Sequence, residues 1–342
     1  MKIVITGGAG FIGTNTCKYY LDRGDEVVLF DNLSRSGSRK NLVWLKEQQG
    51  KLLVLEGDVR NEKDISELQK HLYNAAAVIH LAGQVAVTTS VVDPRTDFDI
   101  NALGTFNVLE AMRQVSSNAL FIYSSTNKVY GGMEDVGVDE GATRYEYKNL
   151  PFGVSEQQPL DFHSPYGCSK GTADQYVHDY HRIYGLNTVV FRQSCIYGSH
   201  QFGVEDQGWV AWFIIAKTLN KPLSIYGNGK QVRDLLHVDD LIRAYDSALI
   251  HKAKTVGNVY NIGGGKDNTL SVWLEFCPLL EKLFQRKIDV TFADWRPGDQ
   301  PIFVADIRKA KREFSWEPKI SVQSGVENLF HWVQKNSDLF SS

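Results

Sequence analysis

The eight residues Thr6-Gly7-Gly8-Ala9-Gly10-Phe11-Ile12-Gly13 constrain this chain more than any other feature. They follow the apolar run Lys2 to Thr6 and precede a helical pattern, so the glycines fall where a strand turns sharply into a helix. A backbone without Cβ atoms can approach a pyrophosphate there, and the positive end of the helix dipole lies beneath it. Gly7, Gly10 and Gly13, with Phe11 and Ile12 on the first helical turn, are expected to hold a dinucleotide.

The rhythm of the chain beyond the glycines supports that reading. Short apolar runs recur at Glu26 to Asp31, Leu52 to Glu56, Ala76 to Leu81, Ala119 to Ser124 and Asn187 to Arg192, separated by longer helical patterns. This alternation marks βαβ units on a parallel sheet, and near-continuous apolar character suits strands covered on both faces. Asp93-Pro94 and Ser164-Pro165 open helices, while Gly24 and Gly185 sit at helix stops. The expected fold class is α/β: a doubly wound parallel Rossmann sheet with a smaller C-terminal substrate-binding lobe. The NAD-binding domain is expected over 1–200, with 231–262 contributing to it, and the lobe over 201–230 and 263–342. Helices are expected at Gln207 to Leu219, from near Val238, at Leu270 to Phe284 and at Ser321 to Lys335, and a strand at Asn258 to Ile262. Gly131 to His163 has no period and is expected to form a long loop over the cleft at the strand ends.

Charge excludes several partners. There are 37 Lys+Arg against 40 Asp+Glu, a formal net charge of -3, and no basic block, which argues against nucleic acid or a membrane surface. The four cysteines, Cys17, Cys168, Cys195 and Cys277, form no CxxC pair, and the nine histidines form no HExxH. Neither a disulfide framework nor a metal site is expected. Lys2 and the few apolar residues before Thr6 do not make a signal peptide, and no apolar run approaches the roughly 18 residues of a membrane helix. A soluble, cytoplasmic protein is expected.

Asp31 ends the second strand about 20 residues past the glycines, where a carboxylate accepts hydrogen bonds from the adenine-ribose diol. A 2'-phosphate would meet like charge, so NAD is favoured over NADP, although Arg35 nearby would suit the latter. Asn32 and Ser34 flank this position. Asp58-Val59 either borders the adenine or forms a surface turn. Leu81-Ala82-Gly83 leaves room beside the cofactor, and Ser124 and Gln193 at later strand ends complete the expected contacts.

Tyr166 and Lys170, spaced i, i+4, share one helix face, and Ser124-Ser125-Thr126 ends a strand that should reach the same cleft. A tyrosine has a pKa of about 10, so a phenolate near pH 7 needs a shift of about 3 units, or roughly 4 kcal/mol. The Lys170 ammonium and an oxidised nicotinamide are both expected to favour that phenolate. Tyr166 would then take a sugar hydroxyl proton as hydride leaves the same carbon, with Thr126 holding the hydroxyl.

These motifs, with Tyr166-Gly167-Cys168-Ser169-Lys170 and Arg233-Asp234, resemble the extended short-chain dehydrogenase/reductase family of nucleotide-sugar enzymes along the whole chain. Four segments carry a closer likeness: Gln84 to Ser90, Ser124 to Gly131, Asp161 to Gly167 and Asp206 to Val210. Through them the chain looks most like the branch that converts CDP-paratose to CDP-tyvelose. The resemblance implies NAD-dependent inversion at C2, through transient oxidation to a ketone and hydride return to the opposite face. It assigns Thr126, Tyr166 and Lys170 to catalysis and places Asn101 near the cofactor. It also puts Gln84, Asn127, Lys128, Gln207, Gly208, Trp209, Tyr226, Arg233, Arg296 and Asp299 on the substrate. Arg233 and Arg296 match diphosphate-gripping arginines, whose planar fork suits phosphate, Asp299 a ribose ligand and Tyr226 a side chain against the base. CDP is favoured by resemblance alone, and GDP or UDP sugars stay open.

Cys195 stands where sugar 4-epimerases of the family usually carry asparagine. A 4-epimerase uses the same Thr, Tyr and Lys and is the chief alternative. Dehydratase relatives place Asp-Glu after the strand-end Thr, positions that here are Asn127 and Lys128 and cannot supply that acid/base pair. A non-catalytic NAD-sensing protein is the alternative of another class, with no need for Tyr166, Lys170 and Thr126 together. Helices near Pro94 to Val115 and Pro165 to Tyr184 pair across a two-fold in the family, implying a homodimer or homotetramer.

Overall fold

In the computed structural model, which describes residues 1–115, 117–296 and 298–340, the first strand lies inside a seven-stranded sheet, next to its central strand. Pro297 of the Arg296 to Asp299 run and the last two residues of the expected lobe lie outside the described residues. The first half runs β1 (Lys2–Thr6), α1 (Phe11–Asp22), β2 (Glu26–Asp31), α2 (Ser38–Lys46), β3 (Lys51–Glu56), α3 (Glu62–Gln69), β4 (Ala77–His80), α4 (Val87–Val92), α5 (Pro94–Phe98), α6 (Gly104–Gln114) and β5 (Leu120–Thr126). A hairpin of β6 (Val138–Glu140) and β7 (Tyr145–Tyr147) precedes α7 (Ser164–Tyr184), β8 (Thr188–Gln193) and β9 (Cys195–Tyr197). Then come α8 (Trp209–Thr218), β10 (Ser224–Tyr226), β11 (Val232–His237), α9 (Val238–Ile250), α10 (Lys252–Thr255), β12 (Asn258–Ile262), β13 (Thr269–Ser271), α11 (Phe276–Phe284), β14 (Thr291–Ala293), β15 (Ile302–Phe303), α12 (Arg308–Phe314) and α13 (Val322–Lys335).

The sheet order is β12-β8-β5-β4-β1-β2-β3, parallel throughout. The strand order reverses between β1 and β4, so a crevice opens at their carboxyl ends. Apolar residues of alternate parity cover the two faces. Ile3, Ile5, Leu29, Ile79 and Phe191 pack with α1, α9 and α12 on one side; Val4, Val28, Val78 and Tyr123 pack with α3, α6 and α7 on the other. Local chemistry sets the helix ends. Asp93 caps α5 by accepting from Thr96 N–H, with Pro94 at its first position, and Gly185 ends α7 in the left-handed region at φ 68°.

A third core, built on Phe213, Trp273, Phe276 and Leu329, joins α8, α11 and α13 into the lobe. The expected division meets the structure at two different joints. β11, within 231–262, pairs with β9, β13 and β15 in a separate sheet, whereas α12, within 263–342, contributes Ala310 and Phe314 to the large sheet's core. Three further expectations are corrected. The helix from Leu270 begins only at Phe276, because Thr269–Ser271 finds an antiparallel partner in β11. The helix from Pro94 to Val115 is interrupted by a π-turn at Asp99–Leu103. The stretch from Gly131 to His163 carries the β6/β7 hairpin and runs beside residues 302–306, where Val154 N–H donates to Val304 O at 2.7 Å; none of it lines the cavity at the strand ends.

Candidate active site

A cavity of about 360 Å³ lies at the carboxyl ends of the central strands, lined by Gly7, Gly10, Phe11, Ile12 and Gly13 on one wall. Gly7 has φ 67°, and a Cβ on it would stand 2.6 Å from Ala82 N. A Cβ on Gly13 would stand 2.2 Å from Gly7 O. At these two positions the turn closes too tightly for a side chain. No side chain caps α1, which begins after Gly10, so its amino end suits an anion.

Asp31 lines the same cavity with Asn32, Ser34 and Arg35. Its carboxylate accepts from Ala9 N–H (3.0 Å) and Leu33 N–H (2.8 Å); burial nevertheless raises its pKa. Asn32 Nδ2 donates to Asp58 Oδ2 at 2.8 Å. Asp58 is drawn down to about 2, chiefly by its hydrogen bonds from Arg60. Asp58 and Val59 therefore border the cavity through this link to β2, along with Leu81, Ala82 and Gly83. Asn101 is not among the lining residues. Its amide donates to Asp97 and Ser169 (both 3.1 Å), and its oxygen accepts from Gln84 N–H at 2.9 Å. It holds the turn after β4.

Ser124, Thr126, Tyr166, Lys170 and Gln193 converge on the opposite wall. Two contacts place the start of α7. Ser164 Oγ accepts from Gly167 N–H (3.2 Å), and Ser90 Oγ accepts from Tyr166 N–H (3.1 Å). Lys170 Nζ donates to Ser124 O at 2.5 Å and lies 4.4 Å from the Tyr123 ring centre. Ser124 Oγ donates to Gln193 Oε1 at 3.0 Å. Burial pushes the Tyr166 phenol up to about 12, with Thr126 pulling the other way, so the help expected from an oxidised nicotinamide would have to act against this burial. Burial likewise draws Lys170 down to about 7. Desolvation disfavours both charged forms, and the ammonium is aimed at a carbonyl.

Gln207 and Gly208 also line the cavity, and Arg35 Nη2 donates to Gln207 Oε1 across its mouth. The other expected substrate residues lie outside the lining. Gln84 is folded onto its own loop, donating to Ala86 O at 2.7 Å. Asn127 Oδ1 accepts from Thr126 Oγ1 at 3.3 Å. Trp209 packs edge-on against Phe213 and Phe276 in the lobe's core. Lys128, Arg233 and Asp299 form one cluster, with Arg233 to Asp299 at 2.6 Å and Lys128 to Asp299 at 4.0 Å. Arg296 forms a second with Tyr226, its guanidinium 4.0 Å from the ring centre, and with Asp206 at 3.0 Å.

Sequence reasoning missed the loop after β9. Ile196, His200, Gln201, Phe202 and Gly203 line the cavity, and Asn41 on α2 fixes the loop by donating to Ala9 O (3.2 Å) and His200 O (3.3 Å). No motif marked these residues; the glycines at 198 and 203 were the only signal. Cys195 lines the cavity as well, and burial pushes its thiol up to about 12. It is an uncharged wall.

The family model described as GDP-mannose 4,6 dehydratase matches residues 4–329. The chain is 49% identical over 338 residues to the CDP-paratose 2-epimerase of Salmonella typhi, across 97% of this chain and 99% of that protein. It is similar to the crystal structure of UDP-glucose 4-epimerase with UDP-glucose from Thermotoga maritima, at 30% identity and TM-score 0.84, covering 98% of this chain and 99% of that one. A UDP-glucuronic acid 4-epimerase from Bacillus cereus, in complex with UDP-glucuronic acid and NAD, matches at 29% identity and TM-score 0.82, with 98% and 100% covered.

Proposed function

Because the chain belongs to the family described as GDP-mannose 4,6 dehydratase, we propose that it is an NAD-dependent epimerase that inverts C2 of a CDP-linked sugar of the paratose type. The observation that carries this reading is the 49% identity, end to end, with a CDP-paratose 2-epimerase.

The residues present fit the cofactor. The tight Gly7 to Gly13 turn, where a Cβ at Gly7 or Gly13 would strike backbone, would take the pyrophosphate, Asp31 the adenine ribose, and the wall of Ser124, Thr126, Tyr166 and Lys170 would face the nicotinamide. Bound NAD supplies a hydride acceptor that returns its hydride later, and a positive charge beside the phenol. In this reading Tyr166 takes the proton of the C2 hydroxyl and gives it back after the sugar has turned. Thr126, on the same wall as Tyr166, orients that hydroxyl. Lys170 holds the end of β5 through Ser124 O. Inversion requires the sugar to rotate between the two steps, so affinity must reside in the nucleotide and diphosphate; Arg233, Lys128 and Arg296 are the cations available for it. Carboxylates do not follow Thr126, where Asn127 and Lys128 stand, and this favours epimerisation over dehydration.

An apolar strip on α5, α6 and α7, with Phe98 50%, Phe106 37%, Ile183 64% and Tyr184 53% exposed, supports a homodimer through these helices. None of the helices among the described residues is long and apolar enough to cross a membrane.

The test is NMR of the sugar ring protons in deuterium oxide, with CDP-paratose and with CDP-, GDP- and UDP-linked hexoses. C2 inversion without solvent deuterium at C2 is the expected result. C4 inversion would reassign the chain to the 4-epimerases, and deuterium at C2 would replace hydride return with proton abstraction.

A further inference from the structure

Arg192 and Asp174 form an ion pair at 2.9 Å, with side chains 5% and 0% exposed, and Arg192 Nε makes a second bond to the same carboxylate at 3.0 Å. Removing two charges from water costs about as much as their attraction returns, so such a pair is weak evidence for stability. Its surroundings indicate another role. Ser125 Oγ donates to Asp174 Oδ2 at 2.7 Å, Arg192 Nη1 donates to the Tyr130 hydroxyl at 3.2 Å, and that hydroxyl donates to Asn261 Oδ1 at 2.7 Å. The network therefore ties α7 to the ends of β5, β8 and β12. Ser125 stands between Ser124, whose carbonyl takes Lys170 Nζ, and Thr126. Asp174 stands one turn beyond Lys170 on α7.

We propose that Asp174, held by Arg192 and Ser125, is the positioning residue for Lys170: it clamps the end of β5, whose Ser124 carbonyl accepts from Lys170 Nζ, against α7. This rests on the reading that Thr126, Tyr166 and Lys170 act on the sugar hydroxyl. The titratable and charged groups around Lys170 and Asp174 are Tyr166 on α7, Asp97 on α5, His80 on β4, Tyr123 on β5 and Arg192 on β8. Burial draws the ammonium toward neutrality, while Asp174 and then Asp97 oppose it. Asp97 is already engaged by Ser169 and Asn101, and burial leaves His80 uncharged at about 3. The Asp174 charge is itself largely offset by Arg192, so its hold on Lys170 is chiefly geometric, through Ser125 and the end of β5.

The experiment is the pH profile of kcat for CDP-paratose epimerisation by NAD-loaded wild type, Asp174→Asn, Asp174→Glu, Ser125→Ala and Lys170→Met, with bound NAD and Tm measured on each. Asp174→Asn leaves the Arg192 guanidinium unpaired in the same buried network, which disfavours a second cation there, so the alkaline limb is expected to move down by about one pH unit. Its kcat should fall about tenfold with KM nearly unchanged. Asp174→Glu should restore the limb, and Ser125→Ala should lower kcat several-fold at unchanged KM, by about one hydrogen bond to a charged group. Folded, NAD-loaded Asp174→Asn and Ser125→Ala with wild-type kcat and limb would overturn the proposal. If Asp174→Asn does not fold, Ser125→Ala and Asp174→Glu decide it. Wild-type turnover in Lys170→Met would overturn the assignment of Lys170 itself, and this proposal with it.

Discussion

Asp299 Oδ1 accepts a 2.6 Å hydrogen bond from Arg233 Nη2, so the carboxylate expected on the nucleotide ribose and the guanidinium expected on the diphosphate are partners of each other. Lys128 stands 4.0 Å from the same oxygen, and desolvation, followed by the like charge of Arg233, draws it down to about 8. One carboxylate serves two cations, which leaves a surplus positive charge for a diphosphate.

Arg233→Met should raise KM for CDP-paratose between about tenfold and a hundredfold, the cost of a lost charged hydrogen bond, with a smaller effect on kcat. Lys128 loses its charge as pH rises past about 8, so KM should climb between pH 7 and 9 in wild type and stay flat in Lys128→Met. Steady-state kinetics at the two pH values checks both.

Tyr166→Phe should lower kcat by about 10²- to 10⁴-fold, the usual contribution of a positioned acid/base group, while NAD stays bound. Ring-proton NMR of CDP-paratose reads the rate. Undiminished turnover would overturn the assignment of Tyr166 as the acid/base.

His80 is sealed under the sheet, with Nδ1 2.7 Å from Thr6 Oγ1 and Nε2 3.1 Å from Thr105 Oγ1, and burial lowers it to about 3 from 6.5. Its folded pKa is depressed, so the unfolded chain binds the proton first as pH falls. The contribution is fully present above about pH 6.5 and is lost toward pH 3, at about 1.4 kcal/mol per pH unit. Urea unfolding between pH 4 and 7 should show this slope, and His80→Gln should flatten it.

Gly13→Ala would press a methyl group to 2.2 Å from Gly7 O, and backbone cannot yield there as a flexible side chain can. Purified variant should carry at most about a tenth of the wild-type NAD, since a misfit of this kind removes more than about 1.4 kcal/mol of binding. The nucleotide released on denaturation measures it.

Ile183, 64% exposed on α7, should be covered in a dimer. Ile183→Glu would bury a charge at that contact, costing several kcal/mol of association. Light scattering at micromolar concentration should then give a monomer mass.

The central sheet was legible because its strands are apolar on both faces and punctuated by glycine and proline; the segments Lys2–Thr6 and Glu26–Asp31 carry their own boundaries. Tyr166, Lys170 and Thr126 were legible through spacing within single elements. Asn101 was less so: its side chain answers to Asp97, Ser169 and Gln84, contacts made by a π-turn that no pattern announces. The loop containing His200 and Phe202 was hidden for a related reason, since Asn41 from α2 holds it by long-range hydrogen bonds. Thr269 to Ser271 read as helix because its partner, β11, is supplied from elsewhere in the chain. The burial that opposes the Tyr166 phenolate is likewise something a linear sequence does not display.

The chain passes repeatedly between its two bodies: out at α8, back at α9 and β12, out again through α11, and back once more at α12 before α13 closes the lobe. A graft that exchanged the lobe for that of a relative would therefore need several matched seams, one of them through Asp240, whose carboxylate accepts the Lys319 and Ile320 N–H groups at 2.9 Å each. New sugar preferences are more readily reached by point changes on the walls than by recombining modules.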